Sequence, residues 1–285
     1  MGEMEHFDRA IGARSEEQAA FEHYLEELVS KTGSEWIQEL EVPKTEREKE
    51  LLALSAQAAS RYVKQYGREK DIAVDLAHIH ILKEGGLDKL TPHLSEEGLT
   101  LPTLGAVVLD RKKSEVTFAL RAFHELYHLK TYKAAQILKQ KPRVETYRTG
   151  FIITSRDGAT SYFQDIEEAL TSLMEMRFYE EVLAKEPSVA AEVESLRKAG
   201  KAPEFTYSGA RKPFRRLIDQ LWEVHKAKGK FKRKEDIIDV FLEAQATGHL
   251  MRVAHLIEDA YGNGSFRKIG EDTAEHHDRA SSGSR

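Results

Sequence analysis

The chain has 285 residues, with 43 Lys+Arg, 48 Asp+Glu, 12 His, no Cys and a formal net charge of −5. Its 40 % apolar and 32 % charged residues make it a charge-rich globular sequence, long enough for one large domain or two small ones. The charge argues against a chain-wide grip on nucleic acid or anionic lipid, and the lack of Cys removes disulfides, Cys-ligated zinc, iron–sulfur clusters and a Cys nucleophile.

The start, Met1-Gly2-Glu3-Met4-Glu5-His6, is acidic and without an apolar run, so no signal peptide is expected there. His6 breaks the myristoylation pattern. No long apolar run suggests a membrane span, and a cytoplasmic location is the default expectation. Residues 1–66 read as helical. Ala19, Phe21, Tyr24, Leu25 and Leu28 recur at helical spacing within Glu16–Leu28. Thr45-Glu46-Arg47-Glu48 is a capping box, because the Thr hydroxyl and the Glu carboxylate can each satisfy a free first-turn N–H. A long amphipathic helix follows through Leu51, Leu52, Ala58, Tyr62 and Val63, and stops at Gly67.

From residue 71 the pattern changes. Ile72, Val74, Leu76, Ile79 and Ile81 read as a strand, and Leu99 to Asp110 as a second. Ser114 is a good N-cap for an apolar helix predicted from Glu115 to Lys139. Gly150 to Thr154 reads as a short strand turning at Asp157-Gly158. Further helices are predicted over Tyr162–Lys185, Pro187–Leu196, Pro213–Lys226, Glu235–Ala246 and Leu250–Ala260, before a polar tail, 273–285, expected to be disordered. The fold class is therefore α+β and predominantly helical. Its regions are 1–66, 67–185, 186–272 and the tail.

The apolar helix contains His124-Glu125-Leu126-Tyr127-His128, an HExxH pattern. Residues four apart project about 40° from one another, so two imidazoles one turn apart can hold one zinc ion. Glu125 lies beside that face, placed to take a proton from a zinc-bound water without binding the metal. Buried imidazoles and a carboxylate in so apolar a helix need partners, which a metal supplies. Zinc then needs a third protein ligand. Thr131 and Ala134 stand where the metzincin pattern has Gly and His, so that route is closed. The best-placed carboxylate is Glu168, at the start of the next long helix. Periodicity does not choose it: Glu168 lies opposite the stripe of Ile166, Ala169, Leu170 and Leu173, which equally fits a solvated face, and Glu167 is next in line.

These residues resemble a gluzincin metallopeptidase. His124 to His128 matches its first helix, and Glu167-Glu168-Ala169-Leu170-Thr171-Ser172 resembles its ligand stretch, which implies Glu168 as the metal-binding Glu. Tyr147-Arg148-Thr149-Gly150-Phe151 and Tyr162-Phe163 resemble the compact minigluzincin branch. The resemblance covers about residues 72–185. It implies a zincin-like catalytic core over 67–185, with a small β-sheet and two active-site helices flanked by N- and C-terminal helices. The cofactor would be Zn2+, the ligands His124, His128 and Glu168, the general base Glu125, and the substrate a peptide or protein. One departure stands out: the family often has a carboxylate four residues after the ligand Glu, and here that residue is Ser172, so Ser172, Glu175 or another residue must steady the histidines. The strand around Gly105 to Leu109 would be the edge strand that pairs with substrate.

Candidate oxyanion donors are Tyr147, Arg148, Tyr162, His225, His249, His255 and Tyr261, with no basis for choosing among them. His78 and His80 share a strand face, His276-His277 sit in the tail, and the basic run Lys226 to Lys234 with Phe231 reads as a solvated linker more readily than as a nucleic-acid site. The N-terminal helices could cover the cleft. No nucleic-acid or membrane partner is expected, and the oligomeric state is open. Two rival readings are a catalytically silent helical interaction protein that kept a metallopeptidase-like core, and a zinc hydrolase of non-peptide amides.

Overall fold

A computed structural model of the chain describes residues 7–11, 39–70, 72–90, 98–138, 143–156 and 160–282. The helix expected over Glu16–Leu28 and the turn at Asp157-Gly158 lie outside them. The first element is a strand that the helical reading of residues 1–66 did not contain, β1 (Arg9–Ile11). Helix α1 (Glu46–Gln65) starts where the capping box predicted it, with Glu48 N donating to Thr45 Oγ1 at 3.1 Å and Thr45 N donating to Glu48 Oε2 at 2.7 Å. Strand β2 is shorter than expected, Ile79–Leu82, because Asp75 accepts from Ala77 N and caps a 3₁₀ turn over Leu76–His78. A short helix α2 (Gly86–Leu90) follows. The single strand expected over Leu99 to Asp110 is a hairpin of β3 (Gly98–Leu101) and β4 (Ala106–Asp110), turned at Gly105 with φ +61°.

Helix α3 (Glu115–Lys130) carries the HExxH pattern and is capped by Ser114, whose Oγ accepts from Thr117 N at 2.9 Å. It ends nine residues before the predicted Lys139. Thr131 turns to an extended conformation, and Lys133–Leu138 forms strand β5. Ala134, Ala135 and Gln136 suit a helix, yet β5 lies between β1, with which it pairs in parallel, and antiparallel β6 (Arg143–Thr149), so tertiary pairing overrides propensity. Strands β7 (Ile152–Thr154) and β8 (Ser161–Tyr162) complete a sheet in the order β1-β5-β6-β7-β8. The second sheet has the order β2-β4-β3, with β2 parallel and β3 antiparallel to β4.

Helix α4 (Gln164–Glu181) follows, then 3₁₀ turns and α5 (Ala190–Lys198), α6 (Ser208–Ala227), α7 (Glu235–Thr247), α8 (Leu250–Tyr261) and α9 (Ser265–Ser282). The predicted polar tail is thus helical as far as Ser282. The chain is α+β and mostly helical, with two small sheets. Among the described residues no helix is long and apolar enough to cross a membrane.

Side chains of α1, α3, α4, α6, α7 and α8 share one apolar core. Phe123 anchors α3 within it, stacked on Phe178 of α4 with ring centroids 4.5 Å apart and edge-on to Tyr62 of α1 at 5.9 Å. That packing fixes the rotation of α3, and with it the direction of the next residue, His124.

Candidate metal centre

His124 and His128 project from α3 toward α4, where Glu168 meets them. The two Nε2 atoms are 3.1 Å apart, and Glu168 Oε2 lies 3.2 Å from His124 Nε2 and 3.4 Å from His128 Nε2. A tetrahedral ion with bonds of about 2.0–2.1 Å holds its ligand atoms about 3.3–3.4 Å apart, so this triangle has the dimensions of three ligands of one ion. Among the described residues these three form the group of His, Asp and Glu side chains able to hold a metal. All three are buried. The solvated-face alternative for Glu168 therefore fails: Glu167, Glu168, Thr171, Ser172 and Glu175 are all buried.

The surrounding groups orient these three side chains. His128 Nδ1 meets Glu167 Oε1 at 3.0 Å, and Glu167 Oε2 accepts from Phe151 N at 2.8 Å. Gly150 makes room for that carboxylate: its φ is +52°, and a Cβ there would fall 2.2 Å from Glu167 Oε2. His124 Nδ1 is buried without a hydrogen bond, and Glu175 Oε2 stands 3.7 Å away. Glu175 is held by Arg121 Nη1 at 3.1 Å and by Thr206 N at 2.9 Å. Ser172 turns to a different task, donating to Thr206 O at 2.6 Å. Of the residues expected to steady the histidines, Ser172 does not meet an imidazole, while Glu167 does, at His128 Nδ1.

Electrostatics follow from this packing. Burial disfavours the imidazolium of His124, but its hydrogen bond to Glu168 prevails and lifts its pKa to about 9. Burial also opposes the charge on His128, yet Glu168 and Glu167 hold its pKa well above the usual value. Glu168 is pulled down to about 2 against its own desolvation, chiefly by the charge of His128.

Glu125 sits beside this group at the floor of a cleft of about 240 Å³. The Thr100 hydroxyl lies 2.8 Å from Glu125 Oε2 and 2.9 Å from its backbone oxygen. Gly98 permits the close approach of β3, since a Cβ there would fall 2.7 Å from Glu125 Cγ. β3 is the edge strand of its sheet and lines the cleft with Gly98, Leu99 and Thr100. The expected edge strand, Gly105 to Leu109, is instead the middle one. Its residues from Ala106 on are all buried, as an unbroken apolar run requires.

None of the seven expected oxyanion donors lines the cleft. Arg148 turns its guanidinium to the carbonyls of Gly150 and Gly248 at 2.7 and 2.8 Å, and burial lowers its pKa to about 10. His225 Nε2 meets Leu256 O at 2.8 Å, Tyr261 donates to Gln220, and His249 and His255 are exposed. His80 pairs with Glu41, and the side chains of His276 and His277 lie outside the described residues. In the basic run Lys230, Arg233 and Lys234 pair with Asp259, Asp236 and Asp219, as a solvated charged segment does.

The residue that the sequence reading missed is Tyr207. It lines the cleft, its ring stacks on His124 at 5.6 Å, and its φ of 48° is left-handed for a non-glycine residue. Such strain persists only where the surroundings enforce it. Here the preceding residue, Thr206, is held by Arg121, Ser172 and Glu175. No local pattern announces a tyrosine presented in this way. Comparison with known proteins returns no matching family, no matching curated protein and no matching solved structure.

Proposed function

We propose that this chain is a zinc-dependent metallopeptidase of gluzincin type, with a zincin-like core over residues 67–185. The supporting observation is the triangle of His124 Nε2, His128 Nε2 and Glu168 Oε2, with sides of 3.1 to 3.4 Å, set beside Glu125 in an open cleft. His124, His128 and Glu168 would hold the ion. An imidazole and carboxylate donor set of this size suits zinc, which when bound acidifies water and polarises a carbonyl.

The remaining steps belong to the chain's own groups. Glu125 takes a proton from the attacking water as the new C–O bond forms, then delivers it to the amine as the C–N bond breaks. Thr100 holds that carboxylate in one orientation. β3, at the edge of its sheet among the described residues, would offer that edge to an extended peptide through backbone hydrogen bonds. Tyr207, whose ring stacks on His124 in the cleft, would be the donor to the developing oxyanion.

Metal analysis combined with a peptide-library digest tests this reading. Wild type should carry near-stoichiometric zinc, and His128→Ala and Glu168→Ala should lose it. Glu125→Gln should keep the metal and lose hydrolysis by a factor of about 10² or more. A metal-free wild type overturns the proposal, as does undiminished cleavage by Glu125→Gln.

A further inference from the structure

Opposite β3, the wall of the cleft is built by β6 and β7 and presents Thr146, Thr149, Ile152 and Thr154. Two of these threonines differ in their bonding. Thr146 Oγ1 lies 3.1 Å from Thr103 Oγ1, so its hydroxyl is satisfied. Thr149 is 7 % exposed, and its hydroxyl oxygen is buried with no hydrogen-bond partner. Buried hydroxyls in folded proteins are nearly always bonded, and an exception in the wall of a cleft is a position that a ligand can satisfy.

The charges around it narrow the choice of ligand. Among the described residues that line the cleft, the charged ones are the metal group and Glu125, with no lysine, arginine or aspartate. Arg148, next to Thr149 in the chain, is committed to backbone carbonyls on the far side. A substrate carboxylate or ammonium held against this wall would be desolvated without an opposite charge. The cleft is also confined, at about 240 Å³.

We propose that this wall is a specificity subsite in which the Thr149 hydroxyl hydrogen-bonds a small, neutral, polar side chain (Ser, Thr or Asn) next to the scissile amide. The inference rests on the peptidase reading above and gives its substrate class: an internal peptide segment rather than a charged chain end.

The test uses peptides identical except at one position, which is Ser, Val, Asp or Lys. Two quantities are measured on the full-length, zinc-loaded chain: kcat/KM for wild type and Thr149→Val, and equilibrium binding to Glu125→Gln with and without Thr149→Val. Wild type should favour Ser over Val about tenfold. Thr149→Val, which keeps the shape and removes the hydroxyl, should erase that ratio while zinc content and melting temperature stay at wild-type values. The same ratio in both proteins overturns the subsite, as does a preference for Asp or Lys. Discrimination in binding without turnover overturns the peptidase and leaves the subsite standing. Turnover without discrimination does the reverse, and neither binding nor turnover overturns both.

Discussion

Glu167 and Glu168 are neighbours on α4, yet they meet the same imidazole from opposite ends. Glu168 faces Nε2 of His128 and of His124, while Glu167 takes Nδ1 of His128 and is itself fixed by Phe151 N. Two such roles carry different costs on substitution. On the proposed reading Glu168→Ala would remove a ligand, whereas Glu167→Gln would leave three and should weaken zinc affinity about 10- to 100-fold, measured by competition with a chromophoric chelator. Equal losses in the two variants would remove the distinction. The same buried charges set the pH response. With His124 lifted to about 9, the metal-free site holds its protons at neutral pH, and zinc must displace them. Apparent zinc affinity should rise with pH through neutrality until both imidazoles have lost their protons. Calorimetry at pH 7 in buffers of different ionisation enthalpy should show proton release, and no release would contradict the raised imidazole pKa values.

At the level of elements, α4 begins in an unusual way. Phe163 precedes it with φ 64°, makes no side-chain cap, and accepts at its backbone oxygen from Ile166 N and Glu167 N. A left-handed phenylalanine stores about 1–3 kcal/mol of strain, so something outside α4 must hold it. That support is α9: Phe266 stacks on Phe163 at 4.7 Å, and Thr273 Oγ1 accepts from Phe163 N at 3.1 Å. Phe266→Ala should therefore loosen the first turn of α4. It should lower amide-exchange protection from Phe163 to Glu168 and, on the proposed reading, weaken zinc binding through Glu168. Unchanged exchange there would show that α4 holds its own start. This contact also explains what could be read in advance. The starts of α1 and α3 were legible because Thr45, Glu48 and Ser114 act within their own turns. The start of α4 was placed within two residues, at Tyr162, but the left-handed Phe163 that opens it was not legible, nor was the end of α3 at Lys130, because residues more than a hundred positions away decide them: Thr273 for the first, and β1 on β5 for the second. His124 and His128 were legible as a candidate pair because they are one helical turn apart, whereas Glu168 came from the resemblance and not from periodicity. Tyr207 was not legible, because a buried knot of Arg121, Ser172 and Glu175 presents it.

The whole molecule decides which parts of the chain can act alone. The sequence suggests a start near residue 67 for the catalytic region, but the core does not part there. Leu51, Leu52, Ala58, Ala59, Tyr62 and Val63 of α1 belong to the same apolar cluster as Val116, Leu120, Phe123 and Tyr127 of α3. Polar links reinforce the contact: Ser55 Oγ donates to Ala119 O at 3.1 Å, and Arg111 Nε meets Glu48 at 2.7 Å. Upstream, Asp8 Oδ2 accepts from Arg68 Nη1 at 3.0 Å and from Lys133 N at 2.7 Å, holding β1 against β5. Deleting one large buried side chain costs about 2–5 kcal/mol, and a whole domain is stable by about 5–15 kcal/mol. Removing α1 strips several such side chains from the back of the HExxH helix at once. A fragment starting at residue 67 should show no cooperative thermal transition, poor dispersion in its amide NMR spectrum and no stoichiometric zinc. A folded, zinc-loaded fragment would mean that α1 merely covers α3; its failure to fold would mean that α1 helps to form the face on which His124 and His128 stand.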